Sequence, residues 1–265
     1  MTSTQIGNIM AGKKGVIFGA SNPRSIAWGA AKALHAAGAE IAFSYENPTT
    51  EKQIRLKLAP AVEATVIEPC RVEDEISVAK ACAAFGDQLG RVDFIIHSIA
   101  FANADDVANG VLNCSKKGFL EAMDISAYSL INIAREMKPY LSEDASITSL
   151  TYLGAERVCV GYNVLGVAKA ALEAITRYLA FEMGKDGTRV NAISAGPVRT
   201  LSALALPNFR RMFEKRAKDS PLRRNTTIEQ VGDAALYLAS PLSRGVTGEV
   251  HYVDAGYNVM GTFEE

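Results

Sequence analysis

Residues 15–46 read GVIFGASNPRSIAWGAAKALHAAGAEIAFSYE and hold a complete strand–helix–strand unit. GVIFGA (15–20) is a nearly continuous apolar run, the pattern of a strand covered on both faces. SIAWGAAKALHAAG (25–38) switches to helical periodicity and closes on glycine, and EIAFSY (40–45) returns to a strand. Gly19 ends the first strand, a short polar loop follows, and Ser25 is positioned to cap the helix. Free backbone N–H groups at such a helix start, with the helix dipole, suit a pyrophosphate. The middle glycine of G-x-G-x-x-G is missing, so the turn alone equally fits an ordinary capped βα connection. Glu46, 27 residues after Gly19, ends the second strand where a carboxylate accepts hydrogen bonds from adenosine ribose hydroxyls. There it would repel a 2′-phosphate and favour NADH over NADPH, although a solvent-facing glutamate is common at a strand end.

The same alternation continues along the chain. ATVIEPC (64–70), VDFIIHSIA (92–100), SITSLTY (146–152), RVNAISAG (189–196) and EVHYVDAG (249–256) read as further strands, seven in all. Helical patterns such as EISVAKACAAFGDQLG (75–90) separate them. Strands alternating with helices over the whole length predict one α/β domain spanning residues 1–265. It is a doubly wound, Rossmann-type, seven-stranded and mostly parallel sheet with helices on both faces. Two polar excursions, 101–118 and 197–224, follow the fourth and sixth strands. Ligands bind at those strand ends in open α/β sheets, so both read as substrate walls, the second as a lid.

Bulk properties exclude several classes. The 265 residues carry a formal charge of −1, which gives no support for nucleic acid or an anionic membrane as partner. No apolar run approaches the ~20 residues of a membrane span, and the N-terminus lacks the order of a secretory signal. A soluble, cytoplasmic protein is expected. Cys70, Cys82, Cys114 and Cys159 have no C-x-x-C spacing, and with three histidines no metal site is expected. His97, within FIIHSIA, reads as a core histidine.

The chemistry is carried by Tyr162 and Lys169 in YNVLGVAKAALEAI. Seven residues is almost two helical turns, ~10 Å along the axis, so both side chains emerge on one helix face. A phenol beside an ammonium suits proton donation and oxyanion stabilisation during carbonyl-type reduction. Chance also produces such pairs, and the weight comes from the nucleotide turn at the other end of the domain.

Together these residues resemble the enoyl-acyl-carrier-protein reductases, a divergent branch of the short-chain dehydrogenase/reductase superfamily. The resemblance covers nearly the whole chain. It rests on Gly19 with Ser25-Ile26-Ala27, His97-Ser98-Ile99, TYLGAERVCVGYNVLGVAKAALEA from Thr151, VNAISAGPVRTL from Val190, TIEQVGDAALYL from Thr227 and GEVHYVDAG from Gly248. Ordinary ketoreductases of the superfamily have tyrosine four positions before the lysine; here that position is Leu165. Ser149, thirteen residues before Tyr162, matches their carbonyl-polarising serine and keeps a ketoreductase as an alternative. A nucleotide-binding regulator without catalysis is a third reading.

The resemblance implies NADH-dependent reduction of a trans-2-enoyl thioester carried on acyl carrier protein, without a metal, by a homotetramer. It assigns Tyr152, Tyr162 and Lys169 to catalysis, with Tyr152, Tyr162 and Ala102 touching substrate. Cofactor contacts fall to Gly19, Ser25, Ile26, Glu46, Arg71, Val72, Ile99 and Lys169, and to Val198, Arg199, Thr200, Leu201 and Ser202. Arg71 replaces the usual aspartate at the adenine edge, where it would stack on the ring, pair with Glu46, or attract a 2′-phosphate. Ala100 stands where many relatives have glycine, and its methyl is expected to narrow the pocket against bulky inhibitors. Arg210, Arg211, Lys215, Arg216 and Lys218 form either a solvated helix face or a patch that steers the acidic carrier protein.

Overall fold

The computed structural model describes residues 7–204 and 209–261. All seven expected strands form: β1 (Lys14–Phe18), β2 (Glu40–Tyr45), β3 (Ile67–Pro69), β4 (Val92–His97), β5 (Leu141–Thr151), β6 (Arg189–Ala195) and β7 (Val250–Val253). They pair in the order β3-β2-β1-β4-β5-β6-β7, and every neighbouring pair is parallel. β5 starts five residues before SITSLTY because Leu141 pairs with Val92 ahead of a register shift.

The helices are α1 (Ile26–Ala36), α2 (Pro48–Gln53), α3 (Glu75–Leu89), α4 (Ala104–Ala108), α5 (Lys116–Met123), α6 (Ser129–Met137), α7 (Val164–Gly184), α8 (Leu201–Leu204), α9 (Phe209–Asp219) and α10 (Ile228–Ala239). Strand alternation divides the core between the two faces of the sheet. Ile17, Phe43 and Ile96 pack with Trp28 and Leu34 of α1 and with Val231 and Leu238 of α10. Val16, Phe18 and Ile95 face the other way, against Val78 and Phe85 of α3, Ile133 and Met137 of α6, and Leu172 of α7. Burial on both faces explains why the strands read as unbroken apolar runs rather than alternating ones.

Chain direction across the sheet reverses between β1 and β4, which opens a crevice at the carboxyl ends of the strands. The excursion after β4 becomes α4 and the entry to α5. It is held by a small cluster of Val107 and Ala122 with Val164 and Leu165 at the start of α7. The excursion after β6 contributes α8 and α9; residues 205–208 within it lie outside the described residues. Among the described residues, no helix is long and apolar enough to cross a membrane.

Candidate active site

A cleft of about 630 Å³ opens at the carboxyl ends of β1, β4, β5 and β6. The first βα turn forms one end through Gly19, Ser25 and Ile26. Gly19 adopts φ +90°, and a Cβ there would lie 2.1 Å from the Ser98 carbonyl oxygen. The turn therefore lies flush against the end of β4, which only glycine allows. Ser25 caps α1 as expected, its Oγ accepting from the Trp28 N–H at 3.2 Å. This leaves a bare backbone cradle at a helix N-terminus, a fit for the pyrophosphate of a dinucleotide.

Glu46 lies exposed just beyond β2 and accepts from Asn47 Nδ2 at 2.8 Å. Arg71 and Val72 follow β3, and neither lines the cleft. Arg71 pairs with neither Glu46 nor an open face: its Nη2 donates to Asp74 at 2.8 Å. Asp74 caps α3 as well, accepting from the N–H groups of Ile76 and Ser77. Those backbone bonds, then Arg71, hold its carboxyl below the usual range. Val72 packs against the core.

The reactive end is built by β5 and α7. Tyr152, Tyr162, Lys169, Ile99 and Ala102 all line the cleft. The seven-residue spacing predicts Tyr162 and Lys169 on one helix, but α7 begins only at Val164. Asn163, at φ 44°, interrupts the helix, so Tyr162 sits in the preceding turn. Asn163 Nδ2 donates to the Val107 carbonyl and ties this turn to the wall at α4. The Tyr152 and Tyr162 rings meet edge to face, centroids 4.8 Å apart. Gly154 closes the back of Tyr162, since a Cβ there would approach the ring to 2.5 Å. Burial, and then the neighbouring Tyr152, push the Tyr162 hydroxyl above the usual phenol range.

Lys169 is 4% exposed, and its Nζ donates to the Leu150 carbonyl at 2.7 Å and the Ile99 carbonyl at 3.2 Å. Burial lowers its pKa to about 8, against an opposing pull from Glu173. Leu165 also lines the cleft, so the position of the ordinary tyrosine carries an aliphatic side chain. Ser149 does not line it. It shares a face of β5 with Thr151 but lies two residues deeper in the strand, so its Oγ is buried against α7, 3.3 Å from Thr176 Oγ1, short of the cleft. This removes the carbonyl-polarising serine of the ketoreductase alternative.

Val198, Thr200 and Leu201 line the far wall. Arg199 turns outward, its guanidinium 4.5 Å above the Phe213 ring. The Ser202 backbone lies in α8, and its side chain falls outside the described residues. On α9, Arg210 and Lys215 pair with Glu214 and Asp219, and Arg216 stacks over Tyr257 at 3.5 Å while reaching Cys159 Sγ. Arg211 and Lys218 are the exposed members left from the basic run. His97 is fully buried, its Nε2 2.8 Å from Ser129 Oγ and its Nδ1 without a partner among the described residues. Burial, and then Lys169, hold it neutral, at about 3.

Among the cleft residues to which sequence reasoning assigned no site role are Ser98, Cys159, Phe209 and Met212, the last accepting from the Tyr152 hydroxyl at 3.7 Å. Only their position after strand ends or inside an excursion marks them. Glu173, buried behind Lys169, carried a usable signal in its four-residue spacing from the lysine.

A doubly wound parallel sheet, a glycine-gated nucleotide turn and a phenol–ammonium pair in one cleft define a dinucleotide-dependent oxidoreductase of the short-chain dehydrogenase/reductase type. Within that class, residues 19–258 match the family described as enoyl-(acyl carrier protein) reductase. The chain is 46% identical to the enoyl-[acyl-carrier-protein] reductase [NADH] 1 of Rhizobium meliloti, over 97% of this chain and 94% of that protein. The enoyl-acyl carrier protein reductase structure from Bacillus cereus, with NADP+ and indole naphthyridinone, superposes with a TM-score of 0.93 at 45% identity, covering 96% and 99% of the two chains. The enoyl-(acyl-carrier-protein) reductase of Anaplasma phagocytophilum with NAD gives 0.92 at 44% identity, covering 98% and 97%. This chain belongs to the enoyl-acyl-carrier-protein reductase family.

Proposed function

We propose that the protein reduces trans-2-enoyl thioesters on acyl carrier protein to saturated acyl thioesters with NADH, in type II fatty-acid synthesis. The observation that carries this reading is the joining of Tyr152, Tyr162 and Lys169 in one cleft with the Gly19 turn, while Leu165 occupies the ordinary tyrosine position. NADH, when bound, supplies the hydride for the substrate β-carbon. Gly19, Ser25 and Ile26 would hold its pyrophosphate, Glu46 its adenosine ribose and Lys169 its nicotinamide ribose. Ile99, Val198, Thr200 and Leu201 would enclose the nicotinamide, with Arg199 and Ser202 contributing through the main chain.

Tyr162 does the electrostatic work. Its raised pKa keeps the hydroxyl protonated at neutral pH, so it donates to the thioester oxygen as negative charge develops there. The buried Lys169 cation adds a favourable field. Tyr152 and Ala102 line the acyl path, and residues 197–224 act as a lid over it. Arg71–Val72 sit at the adenine edge, and the Asp74 partner of Arg71 competes with any 2′-phosphate.

The reading includes a cytoplasmic homotetramer, as the family resemblance implies. Val167, Tyr178 and Phe181 support contact with a second copy, because they form an exposed apolar stripe on α7. Carrier-protein steering would rest on Arg211 and Lys218. The deciding experiment follows NADH and NADPH oxidation in parallel with a short trans-2-enoyl thioester, with Tyr162→Phe as control. Turnover with NADH, lost in the variant by ~10²-fold or more, is expected. No turnover on free or carrier-bound substrate would refute the assignment.

A further inference from the structure

We infer that Glu173 is the positioning residue for Lys169, a buried carboxylate that locks the lysine's helix to the strand supplying its acceptor and balances its charge. The inference rests on the reading of Lys169 as the cation that orients the cofactor.

Glu173 lies one turn beyond Lys169 on α7, and at 5% exposure it is as buried as the lysine. Thr151 Oγ1 donates to its Oε1 at 2.7 Å, within the protein interior. Thr151 ends β5, between the two residues that matter most to the site. On one side is Leu150, whose carbonyl takes the shortest bond from Lys169 Nζ. On the other is Tyr152, whose ring meets Tyr162. A second rung, Ser149 to Thr176, joins the same strand and helix one turn further along. Glu173 therefore sets the height of Lys169 against the carbonyl it bonds.

Charge gives the second reason. An ammonium removed from water needs a nearby anion to remain charged, and attraction strengthens as the local dielectric falls. Lys169 is faced by Glu173 on its own helix and by neutral His97 from β4. Around Glu173 stand Arg177 of α7, Glu156 from the loop after β5, Tyr162 before α7 and Tyr252 of β7. Arg177 and Glu156 are exposed, so solvent screens them, and the phenols are uncharged at neutral pH. Glu173 is the buried anion of the set. Burial raises its own pKa, while Thr151, Arg177 and Lys169 oppose that rise.

The test is the pH profile of kcat/KM, with KM for NADH, for the full-length enzyme and three variants. Glu173→Gln keeps an acceptor for Thr151 but removes the charge. It is expected to move the alkaline limb down by about one pH unit and to raise KM for NADH. Thr151→Val keeps the charge and breaks the link, so KM for NADH rises while the limb stays. Lys169→Met identifies the limb: residual activity of this variant should lack it. Glu173→Gln with the wild-type limb and KM, beside a Lys169→Met enzyme that lacks the limb, overturns the role of Glu173 alone. A limb that persists in Lys169→Met overturns the reading of Lys169 and this inference with it. Should Glu173→Gln fail to fold, Thr151→Val decides, since unchanged KM for NADH in that variant refutes the positioning link. A purely structural glutamate would change the melting temperature and leave the limb where it is.

Discussion

Between pH 8 and pH 10 activity and stability should move in opposite directions, driven by the same proton on Lys169. Burial brings the lysine from the usual 10.5 to about 8. In the proposed mechanism it acts as the cation, so kcat/KM is expected to fall as pH rises through about 8. The folded-state pKa lies below the unfolded one, so from pH 8 to 10.5 the unfolded chain binds more protons than the native protein. Lys169's contribution to stability is therefore absent below pH 8, grows through this window and is complete above 10.5. At about 1.4 kcal/mol per unit, the group adds about 3 kcal/mol across the window. Three half-buried phenols act the other way at higher pH. Tyr152, Tyr162 and Tyr252 are raised by burial, so their contribution is present below pH 10 and is lost above it. The assay pairs NADH oxidation with urea unfolding at half-unit steps from pH 7 to 10, for wild type and Lys169→Met. The difference in unfolding free energy between the two proteins should grow with pH in favour of the wild type. A difference that stays constant from pH 7 to 10, or kcat/KM that is level through pH 8 to 9.5, would refute the reasoning.

Other outcomes follow from single contacts. Gly19→Ala puts a methyl 2.1 Å from the Ser98 carbonyl at φ +90°, and should abolish NADH binding by calorimetry while the protein stays folded. Glu46→Gln removes the carboxylate proposed to disfavour a 2′-phosphate, so the NADPH-to-NADH ratio of kcat/KM should rise; an unchanged ratio shifts the preference to another residue. Asn163→Ala leaves a non-glycine residue at φ 44° and breaks the bond to Val107, costing about 1–3 kcal/mol of stability. Asn163→Gly relieves the strain and should recover part of that loss in thermal melts. Ala100→Gly, which widens the cleft wall, is expected to raise affinity for bulky inhibitors and leave the KM of a thin acyl chain unchanged.

Local patterns determined much of this protein. The seven strands, the parallel architecture, the Ser25 cap and the two excursions at strand ends follow from periodicity and capping, which act over a few residues. Tyr162 and Lys169 were legible for the same reason, since a seven-residue spacing survives even though Asn163 delays the helix. The tertiary structure decided which partner each side chain chose. Arg71 had Glu46, adenine and a 2′-phosphate before it, and Asp74, which also caps α3, took it. Arg199 was directed to Phe213, Ser149 to Thr176, and Glu173 to Thr151. Strand pairing and helix docking bring together residues far apart in the chain, and burial then decides which polar groups must find one another. The sequence carries the groups; only the packed sheet settles whether Lys169 is charged beside a carboxylate or stranded in the core.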